Sequence, residues 1–285
     1  MFANCHFHST FSDAGITPAE LVATAKKIGH RALVLTDHDT VRGTYFLGRE
    51  ARRAGMLTLV GCEFTAGIHI VGIDFDPLES NMRRLLDYLP SYQYNRSKRL
   101  FEAGLEAGTL RQGICWQDVV DAYPDNNYLC NNQIFDVLVK KGIYAPEEYA
   151  DFFKNSFSYN LDISKKIIAH MNFKYPDAEE TIYAINKAGG VAIIAHCTDA
   201  QAKNADEYVK LGAKGFETRH PDMTEFAKDY LDAYCNEHRL YRSGGTDHSS
   251  WMSGLLGKKP EAELDPECGG VTEEDFMKLY QRELG

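Results

Sequence analysis

Residues 32–39 read Ala32-Leu33-Val34-Leu35-Thr36-Asp37-His38-Asp39, and their reading decides the fold. Four apolar residues with no polar alternation are a strand buried on both faces, as in a parallel sheet covered by helices. Ionisable residues follow at once, at the strand end where parallel α/β folds collect their ligands. The preceding helix is equally legible. Thr17-Pro18-Ala19-Glu20 supplies an N-cap, a first-turn Pro and a capping-box Glu, and Gly29 stops the apolar run Leu21, Ala25, Ile28. On the other side a helix is expected over 45–54, closed by Gly55, then strands at Leu57-Thr58-Leu59-Val60 and 68–73. With a first strand over 2–8, this rhythm predicts an α/β fold built on a parallel sheet or barrel.

The rhythm breaks near Asp76-Pro77. Residues 78–163 are aromatic-rich and helical in pattern, and we read them as a helical insertion or lid over the barrel mouth. The barrel is then discontinuous, 1–77 and 164–285. Its rhythm returns with a helix at 177–187, the strand ending Ile193-Ile194-Ala195-His196, a strand at Gly215-Phe216-Glu217-Thr218, and one at Leu240-Tyr241-Arg242-Ser243. A loop and a terminal helix are expected after Pro260.

The 285 residues carry a formal net charge of −10, which argues against a duplex nucleic-acid partner, since that role shows a basic face. A small anionic substrate is still admissible, because bound cations invert the local field. Seven cysteines without a CxxC pair do not make a disulfide framework. Cys5, Cys62 and Cys197 read as small buried hydrophobes. No run of ~18 apolar residues occurs, so no membrane span is expected, and a cytoplasmic setting is the expectation.

Imidazoles and carboxylates gather at the ends of the apolar runs. On one strand His6 and His8, two apart, point to the same side. Asp13, His38, Glu63, His69, His196, Asp247 and His248 follow in similar places. Nine such groups exceed what one ion takes and suit two or three divalent ions at a hydrolytic centre. Glu63 is the natural carboxylate to bridge them. Asp37 and Asp39 are expected behind the ligands, orienting imidazoles. Gly244 and Gly245 suggest close backbone approach, to the site or within a tight turn. His30, His170 and His238 read as structural.

Together His6-Phe7-His8-Ser9, Ser12-Asp13, Thr36-Asp37-His38-Asp39, Gly61-Cys62-Glu63, His69-Ile70-Val71-Gly72, Ala195-His196 and Gly245-Thr246-Asp247-His248 resemble the PHP (polymerase and histidinol phosphatase) domain of the amidohydrolase-like superfamily. The resemblance spans residues 4–248, in family order. It implies a distorted (β/α)7 barrel with two or three Mn, Zn, Fe or Mg ions at its C-terminal mouth. It also implies the ligand set His6, His8, Asp13, His38, Glu63, His69, His196, Asp247 and His248. The family usually separates its last Asp and His by one residue. Asp247 and His248 are adjacent here, so a turn or bulge must bring both inward.

The expected activity is hydrolysis of a phosphate ester in a small phosphorylated sugar or nucleotide. Glu63, His220 and Asp247 are its candidate catalytic residues, His220 as general acid or phosphate ligand. Arg219 and Arg242 are candidate phosphate clamps, and Arg96 and Arg99 could hold a distal phosphate. Relatives acting on nucleotide 3′,5′-bisphosphates or short RNA tend to carry an Arg-x-His element in the insertion. Asn131-Asn132-Gln133 stands there instead, with Asn132 as a candidate substrate contact. This favours a cyclic phosphodiester of phosphoribose over a nucleotide bisphosphate or histidinol phosphate. A non-catalytic PHP domain is the reading from a different class.

Overall fold

The computed structural model describes residues 1–247, 264–265, 267 and 269–284. Eight strands are drawn among them, in two sheets. The first is parallel: β1 (Ala3–Asn4) beside β2 (Ala32–Leu33) beside β3 (Leu57–Thr58). The second runs β4 (Gly61–Thr65), β5 (His69–Ile73), β6 (Val191–Ile194), β7 (Gly215–Arg219) and β8 (Tyr241–Gly244).

The second sheet departs from the expected parallel order. Its β5 is antiparallel to both β4 and β6, and only β6, β7 and β8 run parallel. The cause is chain length. Only residues 66–68 join β4 to β5, and Gly67 turns there at φ 76°; a parallel crossover takes a dozen residues or more. Glu63, expected in a loop after a strand, therefore lies inside a strand, opposite Val71.

Helix α1 (Pro18–Ile28) begins and ends as its sequence requires. Thr17 Oγ1 accepts from Glu20 N–H, Glu20 accepts from Thr17 N–H at 2.9 Å, and Gly29 closes the helix at φ 97°. Helix α2 (Arg42–Ala54) starts three residues before the expected 45, because its N-cap, Val41, has no side-chain acceptor to mark it.

The middle of the chain is helical: α3 (Ser80–Ala107), α4 (Trp116–Ala122), α5 (Asn131–Lys140), α6 (Tyr149–Phe152) and α7 (Asp162–His170). It builds its own apolar core from Leu100, Phe101, Trp116, Ile134, Phe135 and Phe152, among others. The first turns of α3 belong elsewhere. Met82, Leu85 and Leu89 pack with Phe64, Ile70 and Ile194 of the second sheet. One long helix thus ties the helical layer to the sheet. After it come α8 (Ala178–Lys187), α9 (Asp199–Lys203), α10 (Ala205–Lys210), α11 (Glu225–His238) and α12 (Glu273–Gln281).

Backbone hydrogen bonds link the segments that follow the two sheets' strands. Cys5 N–H donates to Gly244 O, and Asp247 N–H to His6 O; Glu63 N–H donates to Thr36 O. These bonds place the segments after β1, β2 and β8 beside one another and beside β4. No helix among the described residues is long and apolar enough to cross a membrane.

Candidate metal centre

Glu63 is fully buried and sits at the centre of a ring of imidazoles. Its Oε1 lies 3.2 Å from His6 Nε2, 2.9 Å from His69 Nδ1 and 3.2 Å from His196 Nε2. Its Oε2 lies 3.2 Å from His8 Nε2 and 3.1 Å from His38 Nδ1. Each oxygen thus serves its own set of rings. Asp247 Oδ1 is 3.0 Å from His8 Nε2 and 3.7 Å from His6 Nε2. Asp13 reaches His8 Nδ1 at 3.4 Å and His38 Nε2 at 3.8 Å. Eight of the nine expected ligands therefore converge; His248 lies outside the described residues.

Strand ends and unusual backbone create this convergence. His6 and His8 share a side, as their spacing requires, and both meet Glu63. Two non-glycine residues of the site take left-handed backbone, His196 at φ 27° and Asp247 at φ 59°. The turn at Asp247 is what aims its carboxylate inward. Gly245 answers to the neighbouring chain: a Cβ there would stand 2.3 Å from His6 O. The close approach is to the His6 backbone.

His6 is fixed by Glu217, a residue that the ligand pattern did not single out. Its Nδ1 lies 2.7 Å from Glu217 Oε1. A carboxylate only accepts, so Nδ1 carries the proton and Nε2 keeps its lone pair for the centre. Glu217 Oε2 also accepts the His196 N–H at 2.7 Å, at the very residue with strained backbone. The signal available in the sequence was a carboxylate at the centre of the strand Gly215-Phe216-Glu217-Thr218-Arg219.

Asp37 stands behind the ligands as expected, reaching His8 through Ser12, whereas Asp39 braces a strand. Asp37 accepts from Ser9 N–H, Ser9 Oγ and Ser12 Oγ at 2.7–2.8 Å, and Ser12 Oγ is 3.3 Å from His8 Nδ1. It sets the loop that carries Asp13. Asp39 accepts from Thr65 N–H at 2.8 Å and so braces the end of β4. Burial pushes its carboxyl up to about 7.

The electrostatics suit cations. Burial works to raise Glu63, but His6 and His38 outweigh it and hold the carboxyl well below its usual range. Asp247 is likewise held low, by His6, His220 and His8 against burial. His6 Nε2, His38 Nδ1 and Glu63 Oε2 are buried, and within this cluster they face only one another and the neighbouring imidazoles and carboxylates. Buried polar atoms crowded together in this way are costly unless something satisfies them. Among the described residues four overlapping groups bring their donor atoms close enough to hold an ion: His6, His8, Glu63 and Asp247; His8, Asp13 and His38; His38, Glu63 and His69; and His6, Glu217 and His220. This donor set of imidazole and carboxylate suits divalent ions such as Mn, Zn or Fe.

The other expected residues divide. His220 is fully buried with Nε2 3.3 Å from Asp247 Oδ2, and its Nδ1 accepts from Asp222 N–H at 3.1 Å. Its neutral ring therefore carries the proton on Nε2, facing Asp247. Asn132 and Arg96 line a cavity of about 450 Å³ together with Asp13, His38 and His69. Arg99 is exposed and does not line it, and neither does Arg219, also exposed. Arg242 is bound elsewhere, to Asp275 on α12 at 2.8 Å and to Asp232 at 3.4 Å; it is a structural ion pair, not a clamp at the centre.

The PHP domain family matches residues 4–241. Among curated proteins, a 5′-3′ exoribonuclease of Haemophilus influenzae is 29% identical, over 85% of this chain and 88% of its own. A 3′,5′-nucleoside bisphosphate phosphatase of Chromobacterium violaceum is 24% identical over 94% of both. A phosphoribosyl 1,2-cyclic phosphate 1,2-diphosphodiesterase of Eggerthella lenta is 24% identical, over 91% of this chain and 97% of its own. Among solved structures, a Bifidobacterium adolescentis protein described as a metal-dependent phosphoesterase superposes with a TM-score of 0.77 at 24% identity, covering 98% and 96% of the two chains. That likeness speaks to the fold.

Proposed function

This chain belongs to the PHP domain family, and from that premise we propose that it is a metal-dependent phosphoesterase acting on a small phosphorylated sugar or nucleotide. The observation that carries this reading is Glu63, fully buried with imidazoles of five histidines on its two oxygens. The residues present fit two or three divalent ions. His6, His8, Asp13, His38, Glu63, His69, His196 and Asp247 would hold them, with Glu63 shared. Such ions supply a water ionised near neutral pH and offset the charge that develops on a phosphoryl group.

The chain's own residues then orient the parts. Glu217 keeps the His6 proton on Nδ1, away from the centre. His220, fully buried, donates toward Asp247 and acts through it rather than on the ester. We read the two sheets as arcs of one distorted (β/α)7 barrel, a reading that the Cys5–Gly244 and Glu63–Thr36 backbone bonds support. The helices between 78 and 163 form the lid in this reading. A cytoplasmic setting belongs to it too, on the strength of the odd cysteine number.

For the substrate, a 1,2-cyclic phosphodiester of phosphoribose comes first, then a nucleotide 3′,5′-bisphosphate. The preference rests on Asn131-Asn132-Gln133 at the start of α5. Asn132 donates to Asp13 O at 2.6 Å, and Gln133 donates to Ser12 O and accepts from Cys130 N–H at 3.0 Å. These side chains hold the ligand loop and add no positive charge. The test is metal content by ICP-MS with phosphate release from a panel of mono- and cyclic diesters in one preparation. Two to three ions per chain with release from one ester class is the expected result. Neither metal nor release after Mn²⁺ reconstitution would sink it in favour of a non-catalytic domain.

A further inference from the structure

We propose that Arg96 anchors a second phosphate of the substrate, a phosphomonoester set apart from the one that reacts; this rests on the phosphoesterase reading. Arg96 lies on α3 in the wall of the cavity that Asp13, His38 and His69 also line. It is only 4% exposed, and its Nε has no partner. Nη1 donates to Gln93 Oε1 at 3.4 Å, and the guanidinium lies 4.1 Å over the Tyr159 ring. Asp13, the one carboxylate among the described residues that line the cavity, faces His8 and His38.

A guanidinium is charged at every working pH. Buried without a counter-charge it is unfavourable, unless a ligand brings the anion. Tyr159 fixes its plane and Gln93 occupies Nη1, and Nε is left as a donor for a phosphate oxygen. Its cavity neighbours Gln93, Cys130, Asn131 and Asn132 are neutral. The cavity is therefore built for one terminal phosphate held by one arginine, not for a polyphosphate.

The test compares matched pairs of metal-loaded enzyme assays. Each pair shares its reacting group and differs in the distal phosphate: 5-phosphoribose 1,2-cyclic phosphate against ribose 1,2-cyclic phosphate, and adenosine 3′,5′-bisphosphate against adenosine 3′-monophosphate. Arg96→Gln is expected to lower kcat/KM for the doubly phosphorylated member roughly 10- to 100-fold, and to leave the other within about 3-fold. Arg96→Lys, which keeps the charge but loses the fork, should show a smaller loss with the same selectivity. It carries the test if the Gln variant does not fold. Equal losses on both members, or none on either, overturn the anchor. If the wild type hydrolyses no member, the phosphoesterase reading fails separately. Calorimetric titration with ribose 5-phosphate and with ribose then decides: a preference for the phosphate that Arg96→Gln abolishes supports the anchor, and an unchanged preference overturns it.

Discussion

A carboxylate that accepts from His6 Nδ1 decides which ring nitrogen is left to bind an ion, and Glu217 does this while also capping the strained His196 backbone. Partners of this kind typically change metal affinity 10- to 100-fold. Glu217→Gln should therefore weaken Mn²⁺ or Zn²⁺ binding at least about 10-fold in a chelator competition; wild-type affinity would remove Glu217 from the account. Gly245→Ala tests the other fixed contact. A methyl group placed 2.3 Å from His6 O meets backbone, which cannot rotate away. Overpacking of this order costs roughly 1–3 kcal/mol or more, to be read from urea denaturation. At this scale the convergence of His6, His8, His38 and His196 was legible because each stands at or near the end of an apolar run. Glu217 was not, because nothing in sequence ties position 217 to position 6. Arg242 was misread for the same reason, since Asp275 captures it from 33 residues away.

Elements carry the same lesson with different causes. Helix α1 was fully legible because Thr17, Glu20 and Gly29 are local signals. The antiparallel β5 was hidden, because direction depends on loop length and Glu63 had been read as a loop residue rather than as part of β4. The start of α5 shows how an inserted helix can act on the centre. Asn132 and Gln133 hold the carbonyls of Asp13 and Ser12, the loop that presents the Asp13 carboxylate. Among the described residues Asp13 belongs to one of the four donor groups, with His8 and His38. The pair Asn132→Ala and Gln133→Ala should thus lower metal content by about one ion per chain and spare the ions around Glu63. ICP-MS on the dialysed double variant checks this; an unchanged count would show that α5 does not govern the Asp13 loop.

The whole molecule feels the centre through its charge. Without ions, burial alone would lower His6, but Glu217, Glu63 and Asp247 outweigh it and hold the ring well above its ordinary value. His8 is raised likewise, by Asp13, Asp247 and Glu63 against burial. A group raised on folding stabilises fully below its unfolded pKa, about 6.5 for His, and that contribution is lost as pH climbs through the folded value. Asp39, pushed up to about 7 by burial, has the same sign. His38 and His30, lowered mainly by burial, work the other way, but His196 and Asp37 are raised as well. Glu63 and Asp247 are held low, so their contribution is present above about pH 4 and disappears only in acid. The metal-free protein should therefore lose Tm between pH 6 and pH 9. Divalent ions compete for the same nitrogens and displace those protons, so they bind more tightly as pH rises. The gain in Tm on saturation with Mn²⁺ should accordingly widen over that interval, from linkage to the folded state alone. Scanning calorimetry of chelated and Mn²⁺-saturated protein at pH 6, 7.5 and 9 separates the two slopes. A gain that stays constant with pH would mean that the ions bind away from His6 and His8, and the centre built around Glu63 would have to be abandoned.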